Sequence, residues 1–237
     1  MANLDALAGA TIAFDLDGTL VDTAPDLIGT LNVLLEQEGV SHLPIAQARP
    51  FIGHGARHLI ERGLAAQGRM ADEPELDVLL SRFIDHYKDH SADLSRPFPG
   101  VVESLTALKS AGARLVVCTN KLTWLSIPIL EALDIAHFFD AVIGADAAPA
   151  RKPDPRHLIT AVRAAGGDIR RAVMVGDAAT DAGAARAAGT PLVLVSFGYT
   201  ETPVGELGAD VVIDHFDQLI GACSQLLTAC GTSIGGL

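Results

Sequence analysis

Two aspartates one residue apart close an apolar run near the N-terminus, Ile12-Ala13-Phe14-Asp15-Leu16-Asp17-Gly18-Thr19-Leu20. A strand's side chains alternate faces, so a strand that ran on would point the two carboxylates apart. Gly18 and Thr19 interrupt it, and a turn there can bring both acids to one pocket. Acids buried at a strand's end are costly unless they hold a metal or carry chemistry. A lone Asp-x-Asp is also compatible with a solvated strand end, but more polar elements follow. Thr119-Asn120 closes a second apolar run, and Lys152 stands in Arg151-Lys152-Pro153-Asp154-Pro155 at the start of a helical pattern. Gly176-Asp177 closes a third run, with Asp181 one helical turn later. In an open α/β sheet ligands bind at the carboxyl ends of the strands, so the set points to one catalytic edge.

The elements that must position these groups alternate between short apolar runs and helical patterns, which predicts a mostly parallel sheet built from βα units. The strand candidates are Thr11–Asp15, Arg114–Thr119, Ala141–Gly144, Ala172–Gly176, Leu192–Val195 and Val211–Ile213. Helices are predicted over Val101–Ser110, Pro155–Ala165 and Thr180–Ala188, each with a glycine just beyond its end. The stretch between the first two strands is far longer than one crossover needs. It carries apolar residues at helical spacing: Leu27, Leu31, Leu34 and Leu35; then Leu59, Ile60 and Leu64; then Leu76, Leu79, Leu80, Phe83 and Ile84. The expected architecture is α/β: a Rossmann-like parallel-sheet core over residues 1–21 and 96–237, with an inserted helical cap over 22–95. Such a cap would sit over the acidic pair and exclude water.

The motif set resembles the haloacid dehalogenase superfamily across nearly the whole chain. DxDGT comes first, then a hydroxyl residue after the second strand, Lys-Pro, and GDxxxD. Within it, DGTLVDTAPDL, TNK, KPDP and VGDAATD are most similar to the phosphoglycolate phosphatase group. The resemblance implies a phosphomonoester hydrolase. Asp15 would be the nucleophile that becomes an aspartyl-phosphate, and Asp17 the general acid and then base. Dehalogenase and phosphonate-cleaving relatives lack an acid at the Asp17 position, which favours phosphoryl transfer. The implied cofactor is Mg2+, held by Asp15, the Asp17 carbonyl and Asp177, with Asp181 as ligand or outer acceptor. Thr119, the Asn120 amide and Lys152 would bind the phosphoryl oxygens, Lys152 and Thr119 sharing in catalysis. Other readings stay open: Asp177 and Asp181 as acids at a helix N-terminus, Thr119-Asn120 as a helix cap, Lys152 as a solvated loop residue. Relatives often carry Ser where this chain has Ala178, which predicts an altered outer shell.

In the predicted cap, Gly53-His54-Gly55 precedes a helical pattern with Arg57 on its first turn. Gly53, His54 and Arg57 form a candidate specificity segment, Arg57 holding a substrate carboxylate; a plain helix start is the alternative. His86 and His90 are read as a solvated face, Trp124 as packing, and Asp22 as part of the hinge. Lys121 either adds positive potential near Asp15 or is solvated. A net charge of −12 disfavours nucleic acid and anionic membranes as partners. No apolar run approaches the roughly eighteen residues of a membrane span. The three cysteines, read as buried and unpaired, and the N-terminal composition fit the cytoplasm; a monomer or homodimer is expected, and residues 231–237 are expected to fray. The leading substrate is a small phosphorylated metabolite, 2-phosphoglycolate first. Alternatives are a sugar phosphate such as N-acetylmuramic acid 6-phosphate, a nucleotide or pyrophosphate, or a phosphomutase reaction. A non-catalytic binding protein is disfavoured because Asp15, Asp17, Lys152 and Asp177 are all present.

Overall fold

The computed structural model describes residues 3–232, with side chains described through Ala229. Six parallel strands make one sheet: β1 (Thr11–Phe14), β4 (Arg114–Cys118), β5 (Ala141–Ile143), β6 (Ala172–Gly176), β7 (Leu192–Val195) and β8 (Val211–Ile213). Their order is β5-β4-β1-β6-β7-β8, so the chain winds outward in both directions from β1. Every residue of β1 is buried, as a central parallel strand covered on both faces requires. Its alternation divides the core. Ile12 and Phe14 pack with Val117, Val175, Leu105 and Leu108, while Ala13 packs on the other face with Val116, Met174, Leu158 and Val162. The first layer is closed by α5 (Val101–Ser110) and α9 (Leu219–Thr232), the second by α7 (Pro155–Ala164) and α8 (Ala179–Ala188). Each large side chain buried in this way contributes about 1.5–3 kcal/mol.

Between β1 and β4 lie α1 (Ala24–Gln37), α2 (Ile45–Ala48), α3 (Ala56–Ala66) and α4 (Glu73–His90). Leu31 and Leu35 of α1, Leu59 and Leu64 of α3, and Leu79 and Phe83 of α4 share an apolar cluster of their own. That cluster extends to Leu125 and Ile129 of α6 (Thr123–Ala132), so the insertion is seated on the sheet's carboxyl edge. The chain enters and leaves it through β2 (Val21–Asp22) and β3 (Arg96–Pro97), a two-residue antiparallel pair that has too few residues to show a periodicity. Asp26 ties the two connections together. Its buried carboxylate accepts the Leu94 and Ser95 N–H groups at 3.0 and 2.8 Å and the Ser95 hydroxyl at 2.7 Å.

Some expectations change. Trp124 is 48% exposed at the first turn of α6, because Leu125, Ser126, Ile129 and Leu130 take that helix's buried face. Helix α9 runs on to Thr232; the rest of the stretch expected to fray, residues 233–237, lies outside the described residues. Cys118 and Cys223 are buried and free, whereas the Cys230 side chain lies outside the described set. Among the described residues no helix is long and apolar enough to cross a membrane.

Candidate active site

Each strand near the switch point delivers its polar group one residue past its last ladder position. Asp15 follows β1, Thr119 follows β4 and Asp177 follows β6. Gly18 makes the turn after β1, at φ +84°, and donates its N–H to Val21 O at 3.0 Å. A Cβ on Gly18 would stand 2.6 Å from Asp177 Oδ2, so only glycine lets the turn close on that acid. Asp15, Asp177 and Asp181 each present a carboxylate oxygen within 4.8 Å of the others, and all three are buried.

Lys152 lies among them. Its fully buried Nζ is 2.9 Å from Asp15 Oδ1 and 2.7 Å from Asp181 Oδ1. Burial alone would lower this ammonium, but Asp15 and Asp181 hold it above its ordinary value. One lysine cannot balance three acids. Burial lifts Asp15 to about 6 against the pull of Lys152, with Asp181 and Asp17 adding to the rise. Burial also pushes Asp177 well above the usual carboxylate range, with Asp181 and Asp15 adding to the effect. A buried cluster of oxygen donors with surplus negative charge suits a hard divalent cation.

The remaining contacts fix orientation. Asp177 accepts the Thr19 hydroxyl at 2.9 Å and the Tyr199 N–H at 2.7 Å. Asp181 accepts the N–H groups of Asp177 and Ala178 at 3.1 and 3.0 Å through Oδ2 while Oδ1 meets Lys152. The helix N-terminal role considered for Asp181 is therefore real and coexists with its place in the cluster. Asn120 does not cap α6, whose Thr123 N–H is taken by Asp146 at 2.6 Å. Instead Asn120 grips Lys152 from both sides, accepting its N–H at 3.0 Å and donating to its carbonyl at 3.1 Å. Thr119 accepts the Lys121 N–H at 3.2 Å. Asp15, Asp17, Thr119 and Asn120 line a cavity of about 140 Å3 whose far wall comes from the insertion, including Gly53, Gly55, Arg57, Leu80 and Tyr87.

The family model for haloacid dehalogenase-like hydrolases matches residues 12–195, from the first strand through β7. The chain belongs to the haloacid dehalogenase-like hydrolases. It is 59% identical to a phosphoglycolate phosphatase of Caulobacter vibrioides, with all of both chains covered. To a phosphoglycolate phosphatase of Mesorhizobium japonicum it is 48% identical over 93% of this chain and 97% of that one. The crystal structure of a predicted phosphoglycolate phosphatase from Haemophilus somnus aligns with a TM-score of 0.83 at 31% identity, covering 90% of this chain and 97% of the other. This haloacid dehalogenase-like hydrolase is a phosphatase.

Three groups in the hydrolase carry more than the sequence suggested. Lys121 is not solvated: it lines the same cavity as Asp15 and is paired with Asp17. It is buried, with Nζ 3.0 Å from Asp17 Oδ1 and 4.6 Å from the centre of the Tyr87 ring on α4. Burial would lower the Lys121 ammonium, but Asp17 and Tyr87 raise it; burial pushes the Tyr87 phenol up to about 12. Tyr199 lies in the loop after β7, where no periodicity marks it. Its N–H holds Asp177, and its hydroxyl donates to Asp22 and accepts the Ala24 N–H at 3.1 Å, linking the acid cluster to the hinge. His157 is the third, and its place on the apolar face of α7 beside Leu158 and Ala161 was a signal the sequence carried.

The insertion residues divide. Gly53 lines the cavity, and its carbonyl lies 3.4 Å from Asn120 Nδ2. Arg57 lines it too, but its guanidinium meets Glu73 at 3.1 Å and Asp77 on α4. His54 is exposed, 5.0 Å from the His58 ring, and lies outside the cavity wall, because Gly55 and Ala56 take the inward positions. The His86 and His90 rings lie tilted with centres 4.5 Å apart on α4, and His90 meets Asp93 at 2.9 Å. They have no place in the one metal-like cluster among the described residues.

His157 carries a pH prediction. Its Nδ1 accepts the Lys152 N–H at 3.2 Å, which places the ring proton on Nε2, 3.2 Å from Ile143 O. Burial first, then the Lys152 charge, holds the imidazole down at about 4 against an ordinary 6.5. The unfolded ring takes its proton near the higher value, so between these values the unfolded state binds more protons. The His157 contribution to stability therefore falls as pH drops from 6.5 to 4, by roughly 3 kcal/mol in full, while the raised Asp15 and Asp177 carboxyls act in the opposite sense over the same range. In urea melts across this range the stability of wild type relative to His157→Gln should fall as pH drops; a difference that does not change with pH would remove His157 as the cause.

Proposed function

We propose that the enzyme is a Mg2+-dependent hydrolase of 2-phosphoglycolate or a closely similar small phosphomonoester. The observation that supports this best is the meeting of Asp15, Asp17 and Thr119 on one cavity, with Lys152 and Asp177 buried against Asp15, in a chain whose full-length relatives are named for that substrate. The donor set fits the metal, since Asp15 and Asp177 are buried oxygen ligands with more charge than Lys152 balances. With the Asp17 carbonyl they would hold the ion, while Asp181, already engaged by Lys152 and two N–H groups, orients the cluster from behind. A Mg2+ ion bound there supplies Lewis-acid polarisation of the phosphoryl oxygens.

The chain's own groups do the rest. An Asp15 oxygen attacks phosphorus as Lys152 and the Thr119 hydroxyl steady the phosphoryl oxygens, and the ester oxygen leaves with a proton from Asp17. Asp17 then takes a proton from water, which attacks the aspartyl-phosphate, breaks the P–O bond to Asp15 and releases phosphate. Lys121 pins the Asp17 carboxylate in the cavity, at 3.0 and 3.2 Å, while Thr23 holds it from the hinge at 2.7 Å. The insertion over 22–95 serves as a cap domain that shuts water out of these steps, with Gly53 and Arg57 shaping its inner face. Two buried free thiols support a reducing, cytoplasmic setting, and the enzyme acts as a monomer or homodimer.

The test is phosphate release from 2-phosphoglycolate, N-acetylmuramic acid 6-phosphate and a nucleotide, each with Mg2+ and with EDTA. We expect preference for 2-phosphoglycolate, loss of release with EDTA, and a higher melting temperature with Mg2+ than without. Preference for the sugar phosphate would discard the substrate, and full activity in EDTA would discard the metal. Need for a bisphosphate activator would signal a mutase.

A further inference from the structure

If 2-phosphoglycolate is the substrate, as proposed above, something in the cavity must recognise a carboxylate close to the phosphate. The cavity wall carries Arg57, Lys121 and Arg151 as its cationic side chains. Arg57 is neutralised by Glu73 and Asp77, and Lys121 by Asp17. Arg151 alone among these has no acidic partner among the described residues.

Its position is fixed by its neighbours. Arg151 directly precedes Lys152, whose ammonium touches Asp15, and Asn120 clamps the Lys152 backbone from both sides. Asn120 Nδ2 also reaches the Gly53 carbonyl, so one side chain joins this loop to the insertion. The Arg151 guanidinium Nη1 lies 3.6 Å from where a Cβ on Gly55 would stand. Gly55, at φ +94°, is the N-cap of α3 and has no side chain to satisfy the helix's first N–H groups, so this end of the helix adds partial positive charge beside the arginine. A two-carbon phospho acid puts its carboxylate only two bonds beyond the ester oxygen. Arg151 shares the cavity wall with Asp15, Asp17 and Thr119, so it borders the space that such an acid would occupy.

We propose that Arg151, not Arg57, is the specificity-determining residue: its guanidinium holds the substrate carboxylate by a forked, charge-assisted contact against the start of α3. Arg57 instead fastens α3 to α4. The surface selects a short phosphorylated carboxylic acid over neutral phosphomonoesters of the same size.

The experiment compares 2-phosphoglycolate with 2-hydroxyethyl phosphate, which replaces the carboxylate by an alcohol, in wild type, Arg151→Gln, Arg151→Lys and Arg57→Gln. Arg151→Gln should cut the ratio of kcat/KM for the two esters by roughly 10- to 100-fold, mostly through KM. Arg151→Lys should restore part of it, since the charge returns without the planar fork. Arg57→Gln should lower the melting temperature and shift both esters together. If wild type treats the esters alike, the 2-phosphoglycolate reading falls and this inference with it. If wild type prefers 2-phosphoglycolate and Arg151→Gln keeps the preference, or Arg57→Gln alone abolishes it, the substrate stands and only the role of Arg151 is overturned.

Discussion

Asp15→Asn should stop phosphate release from every ester, by at least about 10⁴-fold in kcat, while the protein stays folded. The amide matches the carboxylate in shape but is a far weaker nucleophile. Asp15 sits 2.9 Å from Lys152 and shares its pocket with Asp181 and Asp177, so the substitution removes one of three buried like charges. The carboxyl is held at about 6 by burial and its acidic neighbours, and its ionised form is a cost to the metal-free fold at neutral pH. Without metal the variant should therefore melt at or above the wild-type temperature, and Mg2+ should stabilise it less. Phosphate release and paired melts with and without Mg2+ decide the matter. Turnover within tenfold of wild type would remove Asp15 as nucleophile.

Lys152→Met should damage both fold and activity. The ammonium is wholly buried between Asp15 and Asp181, and methionine leaves those carboxylates facing each other in a dry site. Removing one partner of a buried charge pair costs about 3–5 kcal/mol, most of it from the charge left behind. The expected single-variant result is a loss of that size in chemical denaturation together with loss of turnover. Adding Asp181→Asn should recover a large part of the stability, since the two sites are coupled, but none of the activity. A single variant as stable as wild type would mean that the cluster does not depend on Lys152 for charge balance.

The six sheet strands were legible because each is an apolar run bounded by turn residues, and each lies within a residue of its expected limits. Asp15, Thr119 and Asp177 were legible because they follow those runs directly, so the strand ends fix their place; Lys152 was legible from its position at the start of a helical pattern. The β2–β3 hinge pair was not, since two residues a side carry no period. Tyr199 was invisible for a similar reason: it works through its backbone N–H and its hydroxyl at positions 22 residues or more away in sequence. Trp124 shows the converse. Its type suggested packing, but the facing of α6 was set by which residues meet the insertion and the sheet.

The sequence by itself determined the α/β alternation, the long helical insertion after the first strand, and the membership of Asp15, Asp17, Thr119, Lys152, Asp177 and Asp181 in one edge. Those follow from local periodicity and from the rule that strand ends share a face. Only the tertiary structure decided which charges are spoken for. Lys121 meets Asp17 across 104 positions, Lys152 meets Asp181 across 29, and Arg57 meets Glu73 and Asp77 across 16 and 20. An arginine after a glycine turn reads the same whether its guanidinium is free or already paired. The difference lies in the packing of α3 on α4, which separates the neutralised Arg57 from Arg151 beside Lys152.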